Sequence, residues 1–321
     1  MRKKTALPVA VLLLAGGIWA ASVVRKPTSA PPPVGFALIY EPIGLAAAGD
    51  RLLVTSYCEN PREIAALDAT GARSVFATLP QEGRPPGCSE DYIAVSHGLA
   101  GFPPGQVYVE QGGRILQISP EGKQISTFTT LPTGDSIHGG GIHFDRVGSF
   151  GYQLIVSARE GKIWRIDAGG KATMIVSRLQ TPKDKVADYI TENIAVAPRK
   201  LRPYGGHILA ASEANNTIYA VSPQGKVSVA ANWPRAEGVY FIPPRPCALP
   251  GTRGGFFAAA FTTNQIIMLP PTDFLNDSGK ALVVSEVGTI GLLSSDGKKI
   301  TPSPLHSGGW GQLKGSAFIA C

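Results

Sequence analysis

One phrase recurs along this chain, and it restricts the fold more than any other property. In its clearest copy, Leu154-Ile-Val-Ser-Ala158 is followed by a turn, then Lys162-Ile-Trp-Arg-Ile166, then Asp167-Ala-Gly-Gly-Lys171. Further copies open at Leu52, Val107, Ile208, Phe256 and Ala281. Short apolar segments rich in Val, Ile, Leu, Phe and Tyr, bounded by turn residues, are strands. Each copy is therefore a hairpin. Five copies close on an Asp or Ser three residues before a Gly, as in Asp68-Ala-Thr-Gly71 and Ser119-Pro-Glu-Gly122. There the acidic or hydroxyl side chain caps its own turn and Gly supplies the positive φ. The Phe256 copy continues into Leu269-Pro-Pro-Thr-Asp273 instead, which predicts a distorted outer strand.

A second phrase precedes most hairpins. Its copies begin at Ile43, Asp91, Gly140, Glu192, Glu237 and Lys314, and each continues in small or apolar residues, as in Glu192-Asn-Ile-Ala-Val196. The innermost strand of a propeller blade crowds a central channel, so small residues belong there. With the repeat period and no helical pattern between the units, these features predict an all-β, six-bladed β-propeller. The hairpin at Ala281 has no such strand before it, and the unused copy is Lys314 to Ile319. The expectation is a ring closed by terminal strands, with 314–319 innermost beside the 281–293 hairpin. Its outer strand would be Lys299-Ile-Thr-Pro-Ser303 or Phe36-Ala-Leu-Ile-Tyr40.

The N-terminus divides the rest. Met1-Arg-Lys-Lys4 precedes an apolar run from Ala6 to Val24, which reads as a secretory signal or, on the rival reading, a membrane anchor over 1–24. Residues 25–35, with Pro31-Pro-Pro33, form a linker, and 36–321 form one propeller domain. The formal charge of +7 overstates the basic character of that domain. Residues 1–30 carry five basic and no acidic side chains, leaving 25 basic against 23 acidic. No basic stripe interleaves with aromatics, so nucleic acid is not an expected partner.

Four cysteines suit an exported chain, periplasmic, extracellular or anchored facing outward. Four allow three pairings, and the propeller path selects one. Cys58 in the first hairpin turn and Cys88 before the second inner strand share a face. Cys247 and Cys321 each follow an inner strand and fall on the opposite face. The pairs are Cys58–Cys88 and Cys247–Cys321.

The residues that open the inner strands ring one end of the channel. Asp91, Glu192 and Glu237 would converge there with Lys314, and His138 would face the same mouth. Carboxylate oxygens from several strands suit calcium, which accepts many oxygen ligands in flexible geometry. The competing reading, which takes precedence, is a polar, water-filled channel in which Lys314 pairs one carboxylate. His143, inside its strand, is expected to pack between blades.

With its hairpins and phrases such as Gly161-Lys-Ile-Trp-Arg-Ile-Asp-Ala-Gly-Gly-Lys171, the chain resembles the NHL-like and gluconolactonase-like six-bladed propellers over about residues 36–321. Lactonases of that group hold calcium at the channel mouth with a Glu early in an inner strand and Asn and Asp from other blades. The resemblance implies that role for Glu237 and for Glu192-Asn193, while Ile43 stands at the first-blade position. Two functions follow. One is an exported binding or scaffold module that takes a small molecule or a protein at a polar mouth. The other is a calcium-dependent hydrolase of the lactonase or esterase type, with its catalytic residues unassigned.

Overall fold

The computed structural model describes residues 34–80, 88–132, 140–158, 161–180 and 191–320. The leader over 1–24, the linker up to residue 33, His138 and Cys321 lie outside them. Among the described residues, no helix is long and apolar enough to cross a membrane.

Six four-stranded antiparallel sheets form the blades. Blade one is β2 (Pro42–Ala48), β3 (Arg51–Ser56), β4 (Glu63–Leu67) and β5 (Arg73–Thr78). Blade two is β6 (Tyr92–Val95), β7 (Val107–Gln111), β8 (Arg114–Ile118) and β9 (Ile125–Thr130). Blade three is β10 (Ile142–Phe144), β11 (Leu154–Ala158), β12 (Lys162–Ile166) and β13 (Ala172–Val176). Blade four is β14 (Thr191–Val196), β15 (Ile208–Ser212), β16 (Thr217–Val221) and β17 (Val227–Asn232). Each runs from the innermost strand outward in chain order.

The last two blades break that order. β18 (Ala236–Phe241) pairs with β21 (Ala281–Ser285), followed by β22 (Thr289–Ser295) and β23 (Ile300–Ser307). The intervening hairpin, β19 (Phe256–Ala260) and β20 (Gln265–Leu269), takes β24 (Leu313–Phe318) on its inner side and β1 (Val34–Leu38) on its outer side. The chain therefore leaves blade five after one strand, builds the centre of blade six, returns to finish blade five, and ends innermost in blade six. Terminal strands close the ring, as the missing inner-strand copy predicts. The hairpin they serve is 256–269, not 281–293, and both proposed outer segments are used, one in each blade. β1 begins at Val34, two residues before the expected domain start.

Packing explains why this exchange is stable. The core is six clusters, each shared by two neighbouring blades. Both faces of every inner pair are buried, so the strands are almost continuously apolar. The period of two sends alternate residues to opposite neighbours. On β19, Phe256, Ala258 and Ala260 join the cluster with blade five, while Phe257 and Ala259 join the one with blade one. Only a strand sitting between those two blades can do so.

The turns follow the predicted chemistry. Asp68 Oδ1 accepts from the backbone N–H groups of Thr70 (2.8 Å) and Ala72 (3.0 Å), and Asp167 Oδ1 from those of Gly169 and Lys171, both 3.0 Å. In blade five the cap is Asp296 rather than Ser294, which is still inside β22. The turn glycines also meet the preceding blade. A Cβ on Gly122 would lie 2.0 Å from Phe76 O, and one on Gly71 would lie 2.4 Å from Phe36 O. Gly122 has φ +76°, so both conformation and space require glycine there. Gly122→Ala should cost about 2 kcal/mol or more, from left-handed strain plus backbone displacement. Urea unfolding checks this; a loss below about 0.5 kcal/mol would show that the blade contact yields freely.

Cys58 and Cys88 are disulfide-bonded, closing a separation of 30 residues. A loop of that length corresponds to about 3–4 kcal/mol of denatured-state entropy. Cys247 is also disulfide-bonded, and its N–H donates to Ile319 O at 3.1 Å.

Candidate site at the channel mouth

The inner strands neighbour one another in the order β2, β6, β10, β14, β18, β24 and back to β2. In four blades the ladder slips at the mouth end of this strand. The slips fall between Pro42 and Leu45, Thr191 and Ile194, Ala236 and Gly238, and across Leu313 to Ser316 opposite Ala258 and Ala260. A bulge leaves its extra residues unpaired and re-aims their side chains. Those residues include Ile43, Glu237 and Lys314, and by its backbone alone Glu192, four of the six positions singled out by the repeat. Gly238 and Gly315 follow the two charged residues because the wall is tight. A Cβ on Gly315 would be 2.4 Å from Ile43 O, and one on Gly238 would be 2.7 Å from the Tyr240 hydroxyl.

Lys314 is the centre of the site. Its side chain is 6% exposed. Its Nζ lies 2.7 Å from Glu286 Oε1, 3.3 Å from Glu90 Oε1 and 3.4 Å from Glu237. Glu237 is fully buried and accepts from the Tyr92 hydroxyl at 2.9 Å. Tyr92 belongs to blade two and Glu237 to blade five, which face each other in a six-membered ring, so this bond spans the channel. Arg235 completes the cluster. Its guanidinium donates to Glu286 Oε2 at 2.6 Å and also pairs with Glu213.

Burial divides the carboxyl groups. Desolvation, reinforced by Glu90 and Glu286, pushes Glu237 up to about 8 against the pull of Lys314. Lys314 at 3.4 Å offsets this desolvation only in part. Glu213 is raised too, by burial and by its hydrogen bond with Glu286. Burial would raise Glu286 as well, but Lys314, Glu213 and Arg235 outweigh it and hold that group below its ordinary value. The mouth therefore contains one strongly held carboxylate in Glu286, a buried acid in Glu237, a Glu213 carboxyl raised above its ordinary value, and cations on both sides.

The predicted set is only partly brought together. Glu237 and Lys314 meet. Asp91 is 1% exposed and faces a different network: Ser89 Oγ at 2.7 Å, Gln111 Nε2 at 3.3 Å and Arg62 at 3.5 Å. Glu192 lies in β14, but its side chain is outside the described residues, as is all of His138. His143 lines the central channel beyond the mouth, as do its strand neighbours Ile142 and Phe144. Glu90, Glu213 and Glu286 belong to the site and were not anticipated. Glu213 and Glu286 occupy equivalent hairpin positions, each after Ser at the end of its blade's second strand, and that Ser-Glu recurrence was the available signal.

Three oxygens, from Glu213, Glu237 and Glu286, lie within 4.8 Å of one another, close enough to hold a metal ion. The donor set nevertheless does not fit calcium as it stands. The Lys314 ammonium already occupies the midst of these carboxylates, and Tyr92 and Arg235 engage further oxygens on them.

No family model matches the chain, and no curated protein does. Solved structures match its fold. The PQQ-bound aldose sugar dehydrogenase of Streptomyces coelicolor is similar at 16% identity and TM-score 0.54, over 88% of this chain and 87% of that one. A chain of the nidogen/laminin complex is similar at 12% identity and TM-score 0.51, over 89% and 85%. Regucalcin of Agrobacterium tumefaciens, a calcium-binding protein, is similar at 13% identity and TM-score 0.50, over 84% and 78%. What these likenesses share with this chain is the β-propeller fold.

Proposed function

We propose that this chain is an exported binding propeller that takes a protein or small-molecule partner at its polar mouth and does not need a metal to do so. The observation behind this reading is Lys314 Nζ, 2.7–3.4 Å from three carboxyl groups. The ammonium supplies from within the chain the positive charge that a calcium ion would supply from outside. A prepaid network of this kind fixes side chains as a polar platform, which suits recognition better than Lewis-acid chemistry. The match to a chain of a protein–protein complex agrees with the reading at the level of fold alone. Export is supported by the Cys58–Cys88 bridge and the apolar leader.

A calcium-dependent hydrolase is the second reading, favoured by the close approach of Glu213, Glu237 and Glu286. Calcium titration separates the two. The melting temperature of the native chain should stay within a degree or so up to millimolar calcium. Lys314→Met should acquire a saturable rise, because removing the ammonium vacates the space among the carboxyl oxygens that a cation would take. Calcium stabilisation of the native chain below millimolar, together with turnover of a lactone or ester panel, would overturn the binding reading in favour of the hydrolase.

A further inference from the structure

Beyond Tyr92 the channel opens into a cavity of about 410 Å³, within the range of small-molecule sites. All six inner strands contribute to its wall, with short apolar side chains such as Ala47, Ala94, Ile142, Ala195 and Ala317 from five of them and Tyr240 and Phe241 from β18. The polar groups in that wall are not evenly spread. Asn193 and Ser316 lie toward the mouth end, early in their strands. His97 and Arg146 come two residues beyond the ends of β6 and β10, so they stand at the opposite opening, with His143 between.

Several of these groups have no partner. Arg146 makes no hydrogen bond or ion pair among the described residues, and no Asp or Glu lines the cavity with it. Its side chain is solvent-exposed at the opening, and desolvation by the surrounding wall lowers its pKa. Burial, and then Arg146 itself, push His143 down to about 3 and His97 to about 4, so both rings are neutral at physiological pH. At the inner end, Asn193 Nδ2 and Ser316 Oγ are buried without a hydrogen-bond partner. Unpaired buried polar atoms are uncommon in native structures. Arg146, Asn193 and Ser316 are all among the residues that line this one cavity, and the uncompensated charge at its opening is positive.

We propose that this half of the channel binds an amphipathic organic carboxylate, with its head on Arg146 and its body along the apolar belt toward Asn193 and Ser316. Guanidinium geometry favours a carboxylate through two parallel N–H···O bonds. The neutral imidazoles of His97 and His143 can add a donor each without competing as cations. The mouth offers such a head no unclaimed cation, because Lys314 and Arg235 are held by Glu90, Glu213, Glu237 and Glu286, so the head is oriented toward the far opening. This site is separate from the mouth and does not depend on the function proposed for it.

Calorimetry on the full exported chain with decanoate tests the idea, with decanol, acetate and inorganic phosphate in parallel. Decanoate should bind saturably at one site per chain, more tightly than the other three. Arg146→Met should weaken it roughly tenfold to a hundredfold, the range for a lost charge-assisted hydrogen bond. Ala47→Leu, which narrows the belt and keeps the charge, should weaken decanoate as well; circular dichroism checks that both variants fold. Arg146 lies at an opening, outside the six core clusters, so its replacement should leave the fold intact. Equal affinity in Arg146→Met would overturn the proposal. Acetate or phosphate binding as tightly as decanoate would remove the role of the belt, and no saturable decanoate binding at millimolar concentration would remove the site.

Discussion

Deleting residues 313–321 should abolish cooperative folding, although it shortens the chain by only a few per cent. The segment is the innermost strand of blade six. Leu313 is fully buried, and Ala317 and Ile319 are 8% and 5% exposed. Its removal strips β19 of one ladder partner and opens the apolar clusters with blade five and blade one together. Burying one large aliphatic side chain is worth about 1.5–3 kcal/mol. Two such side chains, the ladder bonds and Lys314 add to a loss comparable with the whole stability of a domain, about 5–15 kcal/mol. The bare β19 would also present a free edge to other chains. Far-UV circular dichroism and thermal melting are the measurements, with aggregation the expected accompaniment. A truncated chain that melts within a few degrees of the full-length protein would mean that the C-terminal strand does not hold the ring closed.

How much of this was legible follows from what sequence encodes locally. Blade number, inner strands, turn caps and the Cys58–Cys88 pair follow from short motifs whose chemistry is complete within a few residues. The exchange between blades five and six is not local. β18 ends on the face where both β19 and β21 begin, so its chain can enter either hairpin, and the apolar patterns of Phe256–Ala260 and Ala281–Ser285 fit both. The one trace was Leu269-Pro-Pro-Thr-Asp273, which denies that hairpin an outer strand of its own; the 3₁₀ turn over Pro271–Phe274 stands there, and β1 takes the place. The site was readable to the same degree. Glu237 and Lys314 were placed by strand phase. The bulges that aim them, and the approach of Glu213 and Glu286 from hairpin turns, depend on pairing register and blade neighbours. Asp91 shows the converse: its repeat position is right, but Arg62 and Gln111 capture its carboxylate before it can reach the centre.

Glu237→Gln should be increasingly more stable than the native chain as pH rises from about 5 to about 8. Glu237 has its carboxyl pushed up to about 8 in the folded chain, against an ordinary 4.5. Between those values the folded chain keeps a proton that the unfolded chain has released. Raising the pH through this window therefore weakens folding, by at most about 1.4 kcal/mol per unit for one group. Glu213, also raised, acts in the same direction. Glu286, which is lowered, adds stability above its ordinary value that is lost only in more acidic solution. The histidines pull the other way: His97 and His143 are depressed, so their contribution grows as pH rises through about 6.5 and is complete above it. The native profile alone is therefore a sum of opposed slopes. Gln resembles the protonated acid, still meets Tyr92 and Lys314, and leaves the histidines untouched, so subtracting the two profiles isolates Glu237. The difference in unfolding free energy should be near zero at pH 5 and reach a few kcal/mol by pH 8, measured by urea denaturation at each pH. Parallel profiles across that range would mean that Lys314 keeps Glu237 ionised throughout, as a carboxylate beside the ammonium rather than a buried acid.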